Sequence, residues 1–275
     1  MGVAPTAAFI TVTLVALSAC AEDPERLAGP RPQAPVRVME YNARGHTTLG
    51  SDPARGGRVA ALVSEVAPAL IGLSECEPCQ QLFDQMDASY ELVTDGRVGV
   101  TAAYDPSLWR ANDHGFLTLG QNDDGWGERV ALWVEMEELA SGAPLLLYST
   151  HWCVPTRNPD DGCDLARHLE NAEQILKDAR ERASDGVPVL ITGDFNVVED
   201  RDEDEVLRAF AGAGYVDALR AIHPDEEIIT LDGGFRVDYV YGLQPVEVIE
   251  AYVDDSIPFD LGSDHWPIIS TLEFP

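Results

Sequence analysis

The chain has 275 residues, of which 45% are apolar, and its 18 Lys and Arg residues are outnumbered by 48 Asp and Glu residues, for a formal net charge of −30. This length and apolar content exclude a disordered, collagen-like or disulfide-knot protein, because a chain of this size buries roughly three quarters of its unfolded surface. The charge excludes binding of nucleic acid through a broad basic surface. A bound metal ion could still reverse the sign of the field locally.

The first predicted element is an export signal. Residues 7–19 form a 13-residue apolar run, which is too short to span a bilayer. The run ends in Leu17-Ser18-Ala19-Cys20, which resembles the lipobox of bacterial lipoproteins, where the cysteine is lipidated and becomes the new N-terminus. We expect residues 1–20 to be a signal peptide and residues 21–35 a polar, Pro-rich tether, in a protein exported and lipid-anchored to the bacterial cell envelope. The alternative is a buried helix with an incidental cysteine.

Residues 36–275 predict a single domain in which many short strands alternate with a few helices. Apolar alternation or short apolar runs predict strands over residues 36–42, 69–74, 98–104, 130–136, 145–150, 187–192, 235–241, 246–253 and 266–272. Apolar residues at helical spacing predict helices over residues 55–66, 165–183 and 203–213. The expected fold class is a layered α/β sandwich.

Four cysteines follow the predicted signal peptide: Cys76, Cys79, Cys153 and Cys163. An even number in an exported chain suggests two disulfides, and four cysteines allow three pairings. We favour the local pairings, 76–79 and 153–163. The competing interpretation is a four-cysteine zinc site, which an oxidising compartment disfavours because zinc needs free thiolates.

Polar side chains with catalytic chemistry follow the C-terminal ends of several predicted strands. They are Asn42, Glu75, His151, Asp194, Asn196, Asp264 and His265. Taken alone, each motif has an ordinary structural explanation, because Asp and Asn are good turn formers and a single His or Asp-His pair is common. Strand ends at one rim of a sheet can nevertheless gather side chains from distant parts of the chain.

In their order along the chain, these motifs resemble the endonuclease/exonuclease/phosphatase superfamily, which includes deoxyribonuclease I-like nucleases, neutral sphingomyelinases and inositol-polyphosphate phosphatases. The motifs are Glu75, Thr150-His151, Gly193-Asp194-Phe195-Asn196, Arg236-Val237-Asp238-Tyr239 and Ser263-Asp264-His265. The resemblance runs from about residue 36 to the C-terminus. It implies a two-layered β-sandwich flanked by helices (αββα, deoxyribonuclease I-like) and a metal-dependent phosphoester hydrolase, a phosphodiesterase or a phosphatase.

The resemblance also implies a metal site. Glu75 and Asn42 offer hard oxygen ligands, which suit Mg²⁺ or Mn²⁺ rather than zinc. Asp264 would help to hold the ion, directly or through water. Converging carboxylates repel one another and raise each other's pKa, so this layout makes physical sense mainly with a bound divalent ion.

The remaining site residues receive acid–base and binding roles from the same resemblance. Asp194 would orient or deprotonate the attacking water, and Asn196 would donate to the phosphoryl oxygens. His265 is the rival general base, with Asp238 accepting from its ring to fix the tautomer. His151 would donate to the developing charge or protonate the leaving group. The sequence leaves the choice of base open.

The sequence favours a small substrate over a polyanion. Arg129, Arg44 and Arg157 could reach the rim of the site, with Arg129 as the substrate-binding candidate, but no basic stripe is visible. We therefore expect a monomer that acts on a small phosphodiester, a phospholipid head group or a phosphomonoester. The alternatives are a secreted deoxyribonuclease I-like endonuclease and a non-catalytic surface lipoprotein. The loop over residues 152–164 is either a specificity element or a stapled surface loop.

Overall fold

The computed structural model of the chain describes residues 30–44, 53–76, 79–86, 89–94, 99–121, 128–155, 163–183, 186–199, 204–259 and 261–275. The predicted signal peptide, Cys20 and most of the tether lie outside these ranges, so the lipoprotein hypothesis stays a prediction. None of the helices among the described residues is long and apolar enough to cross a membrane.

Two six-stranded sheets form the centre of the domain. The first has the order β11-β12-β1-β2-β4-β3, and the second has the order β5-β6-β7-β8-β10-β9. The strands of the first sheet are β1 (Val36–Asn42), β2 (Leu70–Ser74), β3 (Glu91–Val93), β4 (Val100–Tyr104), β11 (Glu247–Val253) and β12 (Ile268–Glu273). Those of the second are β5 (Trp109–Gln121), β6 (Glu128–Glu138), β7 (Pro144–His151), β8 (Val189–Asp194), β9 (Tyr215–Asp217) and β10 (Asp238–Leu243).

Four helices cover the outer faces of the sheets, namely α1 (Pro53–Val66), α2 (Cys79–Phe83), α3 (Leu165–Arg182) and α4 (Asp204–Gly212). A fifth helix, α5 (Ala218–Ile222), packs against β9, β10 and β11 and buries Ala218 and Leu219 in the cluster between the sheets. One apolar cluster fills the space between the sheets, a second joins the first sheet to α1 and α2, and a third joins the second sheet to α3 and α4. The sandwich is therefore the αββα arrangement that the resemblance implies.

The longest helix, α3, shows how local sequence positions an element. The side chain of Asp164 accepts a hydrogen bond from the backbone N–H of Arg167 and so caps the N-terminus. Arg180 and Arg182 in the last turn complement the negative end of the helix dipole. The apolar face buries Ile175 against the second sheet, as the helical spacing predicts.

The predicted strands and helices are present, with shifted ends and some omissions. β12 begins at Ile268 rather than residue 266, since Pro267 precedes it and has no N–H to donate to the ladder. The segments β3, β5, β9, α2 and α5 were not predicted. β5 was missed because its polar residues and two register irregularities hide the alternation of a strand at the edge of its sheet.

Both disulfides join the local pairs. Cys76 is bonded to Cys79, and Cys153 is bonded to Cys163. These are the pairings that the sequence favours, and they leave none of the four sulfurs as a free thiolate for a zinc site.

The strand register aligns the strand ends that carry the polar residues at one end of the sandwich, which we call the upper rim. In the first sheet Asn42 lies beside Ser74, and in the second sheet Asp194 lies beside both His151 and Asp238. The opposite end of the sandwich, which we call the lower edge, contains the start of β1 and the paired residues Leu146 and Val189. The polar strand ends therefore meet at the upper rim.

Gly193 permits the close approach of β7 and β8 just before this rim. A Cβ added at Gly193 would lie 2.1 Å from the carbonyl oxygen of Thr150, the residue beside it in the neighbouring strand. We expect Gly193→Ala to lower the free energy of unfolding by about 3 kcal/mol, because the backbone must move to relieve the clash. The control is Gly212→Ala, where the added Cβ meets nothing within 4 Å. Equal urea midpoints for the two variants would contradict the steric argument.

Candidate active site

The upper rim brings the predicted site residues together from both sheets. They are Asn42 at the end of β1, Glu75 after β2, His151 at the end of β7, Asp194 and Asn196 at and after β8, Asp238 at the start of β10, and Asp264 and His265 before β12. Four non-glycine residues in the described part of the chain have positive φ, and three of them, Arg44, Glu75 and Asn196, lie at this rim. Such strained backbone conformations typically cluster at functional sites.

Asn42 joins the carboxylates of the two sheets. Its Nδ2 donates to Oε1 of Glu75 at 3.3 Å and to Oδ2 of Asp194 at 3.0 Å. Its Oδ1 accepts from the backbone N–H of Arg44 at 3.0 Å. The carboxamide nitrogen therefore faces the carboxylates and positions them. A metal-ligand role for the oxygen of Asn42 would require the amide to rotate, and it stays a prediction.

Asp194 lies at the centre of the cluster. Its side chain is 2% exposed, and its Oδ2 lies 3.5 Å from Nε2 of His151 and 3.8 Å from Nε2 of His265. Burial and the nearby charge of Asp238 raise its pKa to about 7, while His265 and the hydrogen bond from Asn42 act in the opposite direction. A carboxyl group with such a pKa can gain or lose a proton near neutral pH.

His265 and Asp238 form a buried pair. Nδ1 of His265 lies 2.9 Å from Oδ2 of Asp238, and Asp238 is fully buried. Burial alone would lower the pKa of His265, but the charge of Asp238 and the hydrogen bond to it raise the pKa to about 10. The backbone N–H of His265 donates to Oγ of Ser263, whose hydroxyl donates to the carbonyl of Asn42. His265 is therefore held as a cation between two carboxylates.

The ends of β7 and β8 are locked to each other. The backbone N–H of Asn196 donates to Oδ1 of Asp194, and Nδ2 of Asn196 donates to the carbonyl of Trp152 at 3.0 Å. The backbone N–H of Trp152 in turn donates to the carbonyl of Asp194, and the indole ring stacks on Phe195 with centroids 4.3 Å apart. These contacts fix the position of His151 relative to Asp194. No pattern in the sequence indicates this role of Trp152.

Two predicted residues lie at the edge of the cluster. Asp264 is partly exposed and forms an ion pair with Arg44 at 3.4 Å. Arg129 is buried, and the register that pairs Ala131 with Thr150 places it at the upper rim. Their roles in metal and substrate binding stay predictions.

Glu40 is a buried acid that the sequence analysis did not single out. It is completely buried, and neither of its carboxyl oxygens has a hydrogen-bond partner among the described residues. Burial and the charges of Asp238 and Asp194 raise its pKa well above the usual value and so favour its protonated form. The two-residue period of a strand, which places Glu40 and Asn42 on one face of β1, is the signal that could have found it.

The donor set fits a divalent cation with a preference for oxygen. The carboxylates of Glu75 and Asp194 converge on Asn42. Burial and the charge of Asp238 raise the pKa of Asp194, so a nearby cation would favour its ionised form. Ligand atoms of Asp194, Asp238 and His265 lie within 4.8 Å of one another, but the contact between His265 and Asp238 already occupies Nδ1 of the ring and Oδ2 of the carboxylate. Glu75, which is 25% exposed, leaves room for the waters that Mg²⁺ retains.

Comparisons with known proteins agree with this geometry. The model of the Endonuclease/Exonuclease/phosphatase family matches residues 39–265. A search of the curated proteins found no match.

Solved structures share the fold at low sequence identity. An endonuclease/exonuclease/phosphatase from Bacteroides vulgatus is 20% identical with a TM-score of 0.69, over 88% of this chain and 100% of that one. A mannosyl-6-phosphatase from Bacteroides thetaiotaomicron is 17% identical with a TM-score of 0.66, over 87% and 100%. D. rerio TDP2 complexed with a single-strand DNA product is 17% identical with a TM-score of 0.68, over 87% and 99%.

The family model covers most of the domain and ends at His265, so it spans all the rim residues described above. The fold, the order of the motifs and this match agree. The chain belongs to the endonuclease/exonuclease/phosphatase family, whose members are phosphoester hydrolases.

Proposed function

We propose that the protein is a divalent-metal-dependent hydrolase that acts on a small or lipid phosphoester outside the cytoplasm. The observation that carries this proposal is the convergence of Glu75, His151, Asp194 and the Asp238–His265 pair on one rim. A bound Mg²⁺ or Mn²⁺ supplies Lewis-acid stabilisation of charge on the phosphoryl oxygens. Glu75 would hold it, with Asn42 and Asp264 assisting.

The pKa values favour Asp194 over His265 as the general base. A base must be unprotonated at the working pH, and a pKa near that pH is the most effective. The pKa of Asp194 is about 7, whereas that of His265 is about 10. His265 is therefore protonated at neutral pH and cannot accept the proton of the attacking water. In this assignment Asp194 accepts the proton of the attacking water, and the cationic His265 stabilises the phosphoryl group.

His151 and Asn196 lie on either side of Asp194. The ring of His151 is buried, and its Nε2 lies 3.9 Å from Oε1 of Glu75 and 3.5 Å from Oδ2 of Asp194. From this position it can donate to the leaving oxygen. Asn196 keeps a second amide hydrogen beyond the one that it gives to Trp152, which can reach a phosphoryl oxygen.

Asp238→Asn tests the buried pair. We expect kcat to fall by about 10²- to 10⁴-fold, because the amide cannot hold His265 as a cation in its present orientation. The pH–rate profile should also change, since the pKa of His265 loses its main support. The control is Asp178→Asn on α3, which contacts Tyr148 and Arg182 away from the rim. A normal rate and profile in Asp238→Asn would contradict the role of the pair.

Charges around the rim support a small substrate. A cavity of about 490 Å³ lies beside the site, between the segment that follows Asn196 and the segment that precedes Asp238. Its two guanidinium groups, those of Arg220 and Arg236, are paired with Glu199, while exposed carboxylates line its mouth. Such a mouth repels a long polyanion, which needs cationic contacts to its flanking phosphates.

A substrate panel tests the proposal. The purified mature protein with Mg²⁺ is assayed against bis-p-nitrophenyl phosphate, p-nitrophenyl phosphate, sphingomyelin, plasmid DNA and RNA. We expect hydrolysis of a small ester. Faster cleavage of DNA or RNA would replace the proposal with a nuclease. No Mg²⁺-dependent cleavage of any substrate, in a protein that unfolds cooperatively, would support a non-catalytic scaffold.

Export and lipid anchoring belong to the same proposal. Two local disulfides support an oxidising compartment, and Cys20 ends an apolar run of signal-peptide length. Expression in bacteria with labelled palmitate should label the wild type and leave Cys20→Ala unlabelled. Equal labelling of both proteins would contradict the anchor.

A further inference from the structure

The N-terminal segment enters the domain at the end opposite the active site. The guanidinium of Arg31 donates to the carbonyl of Gly186, just before β8, and the backbone N–H of Gln33 donates to a carboxylate oxygen of Glu138 at the end of β6. β8 rises from the lower edge to the upper rim, and β6 descends from the rim to the lower edge. Both contacts therefore lie at the lower edge.

We infer that the anchored protein holds its lower edge toward the membrane and turns its active site to the aqueous phase, so that its substrate is a water-soluble phosphoester and not a lipid of the same membrane. This inference rests on the proposed function and on lipidation at Cys20. It narrows the substrate class, which the sequence leaves open between small and lipid phosphoesters.

The length of the tether is the first argument. Cys20 and Pro30 are ten residues apart, a separation that reaches about 35 Å when fully extended and about 18 Å as a flexible chain. β7 runs from the lower edge to the upper rim over eight residues, which separates the two by about 26 Å. Bringing the rim to the bilayer would therefore stretch the tether to most of its full length along the side of the domain. The opposite orientation requires no stretching and keeps the tether's conformational entropy.

Charge at the rim is a second, independent argument. Exposed carboxylates of Asp225, Glu226, Glu227 and Asp255 lie on the segments that lead into the rim. Anionic lipid head groups repel such a surface. This repulsion opposes an orientation in which the rim lies against the bilayer.

Site-specific fluorescence tests the orientation without any assay of activity. The lipidated full chain is reconstituted into phosphatidylglycerol–phosphatidylethanolamine vesicles that contain nitroxide-labelled lipid. A bimane label is attached at Ala140→Cys at the lower edge or at Ser256→Cys at the upper rim, both exposed positions outside the site. We expect at least twofold stronger quenching at position 140. Stronger quenching at position 256, equal quenching, or failure to bind the vesicles would overturn the inference.

A second measurement tests substrate access in the same vesicles. Anchored protein should hydrolyse bis-p-nitrophenyl phosphate in the surrounding buffer within about twofold of the rate of protein released by detergent. It should cleave a fluorescent phospholipid in its own vesicle no faster than the Asp194→Ala protein does. Cleavage of that lipid above this background would overturn the inference. Loss of all activity, with the quenching pattern as expected, would instead contradict the proposed function.

Discussion

Asp194→Ala is expected to lower kcat/KM for the preferred phosphoester by about 10³-fold or more. The carboxylate of Asp194 contacts Asn42 and approaches both His151 and His265, so its removal deletes the proposed base and disconnects both histidines. Because Ala leaves a small polar-lined gap in a buried position, the variant is also assayed for its unfolding midpoint. The measurement is steady-state kinetics at saturating Mg²⁺ across pH 5 to 9.

The matched control is Asp113→Ala. Asp113 is an exposed acid on β5, and its side chain accepts a hydrogen bond only from the neighbouring backbone among the contacts described. This variant should keep the wild-type rate within about twofold, since surface substitutions of this kind have small effects. Full activity in Asp194→Ala would refute the assignment of the base. Equal losses in both variants would point to a general effect of charge.

The second large effect is a joint dependence on metal and pH. EDTA is expected to abolish activity, and Mg²⁺ or Mn²⁺ to restore it. In the metal-free protein, Asp194 has a pKa of about 7, compared with 3.8 for an ordinary Asp, mainly because it is buried. Its proton is therefore bound more tightly in the folded state. The associated stability is fully present below about pH 4 and is lost as the pH rises to about 7.

The titration of His265 changes the stability in the same direction as that of Asp194, but over a higher pH range. Burial opposes its charge, but Asp238 raises its pKa to about 10 from 6.5, so its contribution is present below about pH 6.5 and is lost as the pH rises to about 10. A divalent cation favours the ionised carboxylates and should offset the loss from Asp194. We expect Mg²⁺ to raise Tm by more than about 5 °C at pH 8 and by much less at pH 5, as measured by thermal melting.

Asp194→Asn is the control for this linkage. The amide does not ionise, so the decline in stability between about pH 4 and pH 7 should be smaller than in the wild type when both are measured in EDTA. An identical pH dependence in the two proteins would show that Asp194 has an ordinary pKa in the folded chain. Activity that survives EDTA would independently contradict the metal requirement.

The sequence predicted the domain and most of its elements because these depend on local pattern. The apolar runs of the inner strands and the helical spacing of α3 are properties of consecutive residues. β5 and β9 escaped prediction because an irregular edge strand and a three-residue strand have too little alternation to recognise. The disulfide pairings were also within reach, since the favoured pairs are close in the chain.

Some features of the site depend on contacts between residues that are far apart in the chain. The sequence identified Asn42 as a candidate metal ligand, but only the fold shows its amide nitrogen between Glu75 and Asp194. Glu40 is one more acid in a chain with 48 of them, and only its burial beside Asp194 and Asp238 raises its pKa. A pKa depends on burial and on neighbours from other strands, which a linear pattern does not contain.

The sequence by itself determined the family motifs, their order and an acidic balance that disfavours polyanions. Those properties depend on which residues are present. Only the tertiary structure decided which of two candidate bases has a pKa near neutrality, which side chains share a proton, and at which end of the sandwich the N-terminal segment lies relative to the site. These depend on strand register and on distances between residues far apart in the chain, because electrostatic and hydrogen-bond energies are set by separations of a few ångströms.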